Sequence, residues 1–248
     1  MFLSDFFIVL IIGAVGGFFN TFVGAGSLFT IPVLIVLGLP PHVAIATNRL
    51  GVTGSDIAGW YGFHIKGVID YRAGIALAVP SLAGAVIGAN LVVHIDEKIL
   101  RAIIAIISLI ILLLIVMKPD AGISRTKARS GFRPYVMGVA LSFIVGIYGG
   151  FYGAGAGTFL FYILVLIFGQ TFIESAGTHE LANLSFSAMA AAIFAYKGLI
   201  DYGWTIPLFI GSFAGSYLSA YHAEKIGNVW LKRIFVIVVI AVVIKLFV

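Results

Sequence analysis

Apolar runs recur along this chain at close to membrane-spanning length, and they narrow the solvents in which it can fold. They fall at roughly 4–22, 27–38, 42–63, 71–93 and 97–117, then at roughly 134–152, 158–168, 172–194, 203–223 and 228–247. A helix of about 20 residues spans the ~30 Å hydrocarbon core of a bilayer. Of the 248 residues, 61% are hydrophobic and only 10% are charged, against about 25% charged in soluble domains. A water-soluble protein of this size has too little interior to hide so much apolar surface, whereas lipid accepts it. The runs at 27–38 and 158–168 are too short to span upright, and each follows a glycine-rich break. Broken or re-entrant segments look like this. The expected fold is an all-α polytopic membrane protein, with about eight transmembrane helices plus short broken or re-entrant segments. The start, MFLSDFF, has no basic region before its apolar run, so that run reads as a retained helix and not as a removed signal peptide.

The formal charge is +5, but its distribution belongs to membrane loops and not to a nucleic-acid groove. Residues 118–133, KPDAGISRTKARSGFR, hold five basic side chains and one acidic one. The positive-inside rule puts this loop in the cytoplasm. Counting back, residues 66–72 are cytoplasmic and 94–101 lie outside. With no cysteine, disulfides, thiol catalysis and cysteine-ligated metals are excluded.

The two series of runs are related by a shift of 131 residues without gaps. Gly24-Ala25-Gly26-Ser27 falls on Gly155-Ala156-Gly157-Thr158, and Thr47-Asn48-Arg49-Leu50 falls on Thr178-His179-Glu180-Leu181. Lys66-Gly67-Val68-Ile69-Asp70-Tyr71 falls on Lys197-Gly198-Leu199-Ile200-Asp201-Tyr202, with five identities in six positions. Apolar helices resemble one another by chance, but their charged loops do not. The expectation is two tandem repeats of a four- or five-segment unit, 1–117 and 134–248, joined by the basic linker 118–133. Four crossings per repeat make the repeats parallel, and five invert them. Duplicated bundles are the usual architecture of secondary transporters.

Two features could carry chemistry. The first is the paired glycine break, where Gly24, Ala25, Gly26 and Ser27, and Gly155, Ala156, Gly157 and Thr158, precede the short runs. Such a turn can aim several N–H groups into one space, with Ser27 or Thr158 capping the next helix and its dipole adding positive potential. An anion suits such a place. The bland alternative is close helix packing on small residues, and that reading is preferred for Gly84 and Gly88 and for Gly211, Gly215 and Ser219. The second feature is Arg49 and Glu180, each seven or eight residues into an apolar run and so about 10–12 Å deep. A buried ionised side chain costs roughly 2.5–3.5 kcal/mol on insertion scales. Either the two neutralise each other in a salt bridge, or Arg49 binds an anionic substrate while Glu180 modulates it or carries a proton. Thr47, Asn48, Thr178, His179 and Asn183 surround them, and Asp56 lies about two turns beyond Arg49. His179-Glu180-Leu181-Ala182-Asn183 resembles the H-E-x-x-H helix of metalloproteases, but Asn183 stands where the second metal histidine belongs. No metal site or cofactor is expected.

At these residues the chain resembles the sulfite exporter TauE/SafE family, also called toluene sulfonate uptake permeases. The resemblance covers nearly the whole chain. It is carried by Gly17-Phe18-Phe19 through Gly26, by Gly38-Leu39-Pro40-Pro41-His42-Val43-Ala44, by Thr47-Asn48-Arg49-Leu50 and by Gly146 through Gly157. It implies a multi-pass permease of a bacterial or archaeal inner membrane, moving sulfite, sulfonates or related organic anions. The family usually has Lys where Arg49 stands, and Lys near Glu180, so the acid is a departure. The expected function is a secondary transporter of a small anion and not an enzyme. Its expected partners are that anion, a coupling proton or sodium ion, lipid and further copies of the chain. The alternatives are uptake of a carboxylate, a passive anion channel and an intramembrane hydrolase.

Overall fold

The structure, a computed structural model, describes residues 3–91, 123–124 and 132–247. The run at 97–117 and most of the 118–133 linker lie outside the described residues. Eight helices are described: α1 (Leu3–Val23), α2 (Ser27–Val36), α3 (Pro41–Ile65), α4 (Tyr71–Leu91), α5 (Phe132–Phe151), α6 (Ala156–Leu166), α7 (Phe172–Tyr196) and α8 (Tyr202–Phe247). Among the described residues there is no strand. Three helices, α1, α4 and α5, are both long and apolar enough to cross a membrane. α3 and α7 have 25 residues each, but buried polar side chains interrupt their apolar character. The chain is an all-α membrane protein.

Glycines punctuate the helices where the sequence places its breaks. Gly24, Gly38 and Gly67 take positive φ (68°, 102° and 66°), and so do Gly155, Gly169 and Gly198 (80°, 69° and 68°) at the same spacing. A side chain there would be strained. α2 and α6 have 10 and 11 residues, about 15–17 Å of helix and half a bilayer. α3 and α7 start differently. Pro40 and Pro41 open α3 in extended-then-helical conformation, where a missing N–H costs nothing. Thr171 opens α7 in a capping box with Glu174, closing two exposed N–H groups at once. α8 is broken at Gly227 (φ 74°, ψ 162°), between the runs at 203–223 and 228–247.

The halves interlock. α1 packs on α8, and α4 packs on α5. Both crossings run on glycine: a Cβ on Gly88 would lie 1.9 Å from the Ile147 carbonyl oxygen, and one on Gly215 1.8 Å from that of Ala14. Ser219 donates to the Phe18 carbonyl at 3.0 Å. Gly84, Gly88, Gly211, Gly215 and Ser219 are thus helix-crossing residues, where small side chains let backbones touch. Outside, Val36, Val79, Ile144 and Ile11 are exposed, as apolar side chains are in lipid. Inside, Phe22, Phe63, Phe161, Phe172, Phe186 and Phe194 are buried. Phe186 lies against Arg49 and Phe161 against His179.

Candidate functional site

The central helices carry polar residues at helical spacing. On α3, Arg49 and Asp56 are seven residues apart. On α7, Glu180, Asn183 and Ser187 follow at three and four. Such spacing keeps them on one face of each helix. α3 packs against α7, and all five residues are buried.

Arg49 is 2% exposed. Its Nη2 donates to the Tyr152 carbonyl at 2.8 Å, and its Nη1 reaches the Ser187 hydroxyl at 3.5 Å. Its Nε has no hydrogen-bond partner. The guanidinium lies 5.7 Å from the Phe186 ring centroid and rests on Gly153. A Cβ on that residue, at φ 71°, would sit 1.7 Å from Nη2. Gly153 therefore serves both the turn and the room that Arg49 occupies.

Asp56 accepts at Oδ1 from the Asn20 and Asn183 amides, at 3.0 and 2.9 Å. Asn20 also donates to Ser55 Oγ at 2.7 Å. Asp56 Oδ2 has no partner, and Arg49 is the cation within its electrostatic reach. Glu180 lies over Gly59, whose Cβ would meet its Oε1 at 2.3 Å and the Thr21 hydroxyl at 3.0 Å. Neither Glu180 oxygen has a hydrogen-bond partner.

The salt bridge between Arg49 and Glu180, one of the two alternatives offered by the sequence, is not formed. Among the described residues Arg49 has no carboxylate at salt-bridge distance, and its acidic neighbour is Asp56. The 131-residue spacing gives the reason. Glu180 corresponds to Arg49, Asp56 to Ser187 and Thr21 to Tyr152. Arg49 meets residues 187 and 152, whereas Glu180 is near 56 and 21. Each reaches the other half's counterpart of a different position, so equivalent residues do not meet.

The glycine breaks touch each other. A Cβ on Gly24 would lie 2.1 Å from the Gly157 carbonyl carbon, and one on Gly157 would lie 3.0 Å from Asn183 Oδ1. Their N–H groups are partly spent: Leu28 and Phe29 donate to Ala25 and Gly26, and Ala156 and Thr158 to Gly153 and Gly155. Tyr148 ties the second break by donating to the Ala154 carbonyl at 2.5 Å. Ser27 and Thr158 do not cap their helices as expected, because Gly26 and Gly155 hold the N-cap positions. Ser27 accepts from Asn48 at 2.9 Å, and Thr158 donates to the Val23 carbonyl at 2.6 Å. Gly26 is right-handed helical, so the left-handed turn of that break belongs to Gly24. Ala25 and Ala156 are buried packing residues.

Thr47 and Thr178 stand apart from the cluster. Thr47 accepts from the Asp201 N–H and Thr178 from the Asp70 N–H, both at 3.0 Å, just ahead of α8 and α4. Asn48 is bound by Thr30 and Ser27. The ring of His179 lies against Phe161, and its Nδ1 donates to the Ser175 carbonyl at 3.1 Å, which leaves Nε2 without a partner. Asn20, Thr21, Tyr152, Gly153 and Ser187 join the site unforeseen. Asn20 could have been found as an amide inside an apolar run, and Ser187 as the counterpart of Asp56.

Six polar atoms here are buried without partners: Arg49 Nε, Asp56 Oδ2, His179 Nε2, Asn183 Oδ1 and both Glu180 oxygens. Folded proteins leave only a few such groups per hundred residues. Their concentration on α3 and α7 marks this as the candidate site. Among the described residues no three His, Cys, Asp or Glu side chains converge as metal ligands.

Comparison with known proteins bears on what such a site serves. A probable membrane transporter protein, ORF9, of a Sinorhizobium species is 28% identical over 94% of this chain and 88% of its own length. A probable membrane transporter protein of Haemophilus influenzae is 26% identical over 93% and 89%. The probable membrane transporter protein YfcA of Escherichia coli is 26% identical over 93% and 85%. These relatives are named as transporters and not as enzymes. No solved structure matches the chain. The family model described as sulfite exporter TauE/SafE matches residues 9–246, and the chain therefore belongs to that family of membrane transporters.

Proposed function

We propose that this protein is a secondary transporter that moves a small, singly charged anion, of the organosulfonate class, across a bacterial or archaeal cytoplasmic membrane. The reading rests on Arg49. It is a guanidinium buried at the meeting of α3, α7 and the second glycine break, held by neutral acceptors, with its Nε unused. A planar guanidinium offers a forked donor set to the oxygens of a sulfonate or carboxylate. Single charge is favoured over double because Arg49 is the one cation that the described α3–α7 cluster offers, with Asp56 as its acidic neighbour and Glu180 next to Asp56. In this reading the ligand-facing residues are Arg49, Gly153, Gly157, Asn183 and Ser187. Gly24, Ala25, Gly26, Gly155 and Ala156 build the crossing behind them.

The two halves serve as repeats of one unit joined by residues 118–133, with that linker on the cytoplasmic side. The repeated charged loops and the repeated helix bounds support the reading. A ligand panel on the purified protein tests it. Isethionate, methanesulfonate, sulfite, sulfate and acetate are scored by thermal stabilisation, which reports ligands that bind the folded state. A singly charged sulfonate should stabilise most, and the effect should vanish in Arg49→Ala. Equal stabilisation of wild type and Arg49→Ala removes Arg49 from the site.

A further inference from the structure

The anion reading leaves Glu180 unused. Its carboxylate is fully buried, neither oxygen has a partner of full hydrogen-bond geometry, and Gly59 and the Thr21 hydroxyl are its nearest neighbours. Asp56, one turn before Gly59 on α3, is within electrostatic reach and has a free oxygen of its own. The groups around this pair come from α1, α3, α7, α8 and the end of α5. α3 gives Arg49, and α7 gives His179, Asn183 and Ser187. α1 gives Asn20 and Thr21, and α8 gives Ser216, which bonds Thr21. At the end of α5, Tyr148 and Tyr152 lie within reach of Arg49. Arg49 is the one permanent cation in this set. The His179 ring is tied at Nδ1 to its own helix.

The charges then do not balance. One guanidinium offsets one carboxylate, and the second would stand as a bare charge in a hydrocarbon interior. A metal-ion cage does not fit, because such cages need many convergent oxygens. Asp56 Oδ1 already serves two amides, and among the described residues no three His, Cys, Asp or Glu side chains converge as metal ligands. A proton fits, because a protonated carboxyl is a donor and its neighbour offers a free acceptor oxygen.

We propose that Asp56 and Glu180 together hold one exchangeable proton, and that this proton is the ion to which anion movement is coupled. Only the coupling rests on the anion reading. The proton arrives from water on one side, forms one O–H bond on the pair and leaves to water on the other. Arg49 links the two events. An anion that claims the guanidinium deprives Asp56 of its cation, so anion and proton favour each other's binding, reciprocally.

The test has two arms. Infrared difference spectra of the purified protein, titrated through the neutral range without any anion, should show the carbonyl stretch of one protonated carboxyl group. It should be lost in Glu180→Gln and displaced in Asp56→Asn. Absence of the band in wild type, or an unchanged band in both variants, overturns the proton site. Should either variant not fold, the wild-type spectrum decides: a band indifferent to exchanging choline for sodium supports the proposal, and a band abolished by sodium overturns it. In proteoliposomes, isethionate uptake should rise about tenfold with an inward proton gradient, a typical coupling between sites. Uptake that ignores the gradient overturns the coupling and leaves the anion reading standing. A band in the spectra, with neither uptake nor stabilisation by any anion of the panel, removes the anion reading and its coupling and keeps the proton site.

Discussion

α3 and α7 occupy equivalent places in the two halves and have been given opposite chemistry. Both have 25 residues, and their bounds differ by the same 131 positions that relate the two sequences. Yet one places Arg49 against a serine hydroxyl and a backbone carbonyl, and the other places Glu180 near an aspartate and a threonine. The frame is set by apolar length, glycine turns and small-residue crossings, which the halves share. The charge is set by single positions, which they do not. Two like sequence series can thus set a cation on one helix and an acid on the other, with Asp56 as the neighbour of both.

The sharpest way to break this comparison is at Arg49. Arg49→Ala should abolish transport and cost about 3–5 kcal/mol, because a buried acid loses its cation. Arg49→Lys should keep part of the ligand-induced stabilisation, since lysine retains the charge and loses the fork. Thermal scans with and without isethionate check both. Wild-type behaviour of Arg49→Ala would make the two helices interchangeable.

Gly153→Ala comes next. Its Cβ would collide with Arg49 Nη2, and misplacing the guanidinium should cost transport about tenfold or more. Gly198→Ala, at a similar positive φ but with nothing near its Cβ, should cost only about 1–2 kcal/mol of backbone strain and spare transport. Equal transport losses in the two variants would mean that strain, and not the Arg49 seat, explains the result.

A third measurement asks whether the opposite charges act on each other directly. Because Arg49 and Glu180 do not touch but share Asp56 as a neighbour, the stability costs of Arg49→Met and Glu180→Met should couple less strongly than those at Arg49 and Asp56. Arg49 and Asp56 should couple by about 0.5–3 kcal/mol. A double mutant of 49 and 180 that recovers both stability and transport would restore the symmetric salt bridge.

The smallest effect concerns orientation. Ser124 is exposed, next to Ile123, whose carbonyl accepts from Asn228 at 3.1 Å. Ser124→Cys should leave stability unchanged within ~0.5 kcal/mol. The cysteine should resist impermeant thiol reagents in intact cells and react after lysis. Labelling of intact cells would put both halves the other way round in the membrane.

Much of the frame was legible in the sequence. The runs at 42–63 and 172–194 became α3 and α7 because apolar length and bounding glycines or prolines are local signals. The short helices after the glycine breaks were legible for the same reason. The partners of Arg49 were not. Contact between residues 49 and 187 depends on how two helices cross, which no local period encodes. The pairing of Arg49 with Glu180 assumed that equivalent positions meet, and the crossing geometry displaces them. Thr47 and Thr178 showed as polar residues in apolar runs, but only the structure reveals that their hydroxyls serve the starts of α8 and α4.

The interlocking of the halves has a consequence for how the protein is made. α4 finds its glycine-lined partner in α5, and α1 finds its own in α8, which follows every other described helix in the chain. Until α5 and α7 follow, the first four helices stand with Gly84 and Gly88 unmatched and with Arg49 lacking Tyr152 and Ser187. An unsheltered guanidinium at that depth is costly, and incomplete bundles invite wrong association. The early helices are therefore expected to gain from being held at the insertion site until α5 and α7 follow. Damage late in the chain, at Gly211 or Gly215, should be felt as a failure of the whole molecule to mature.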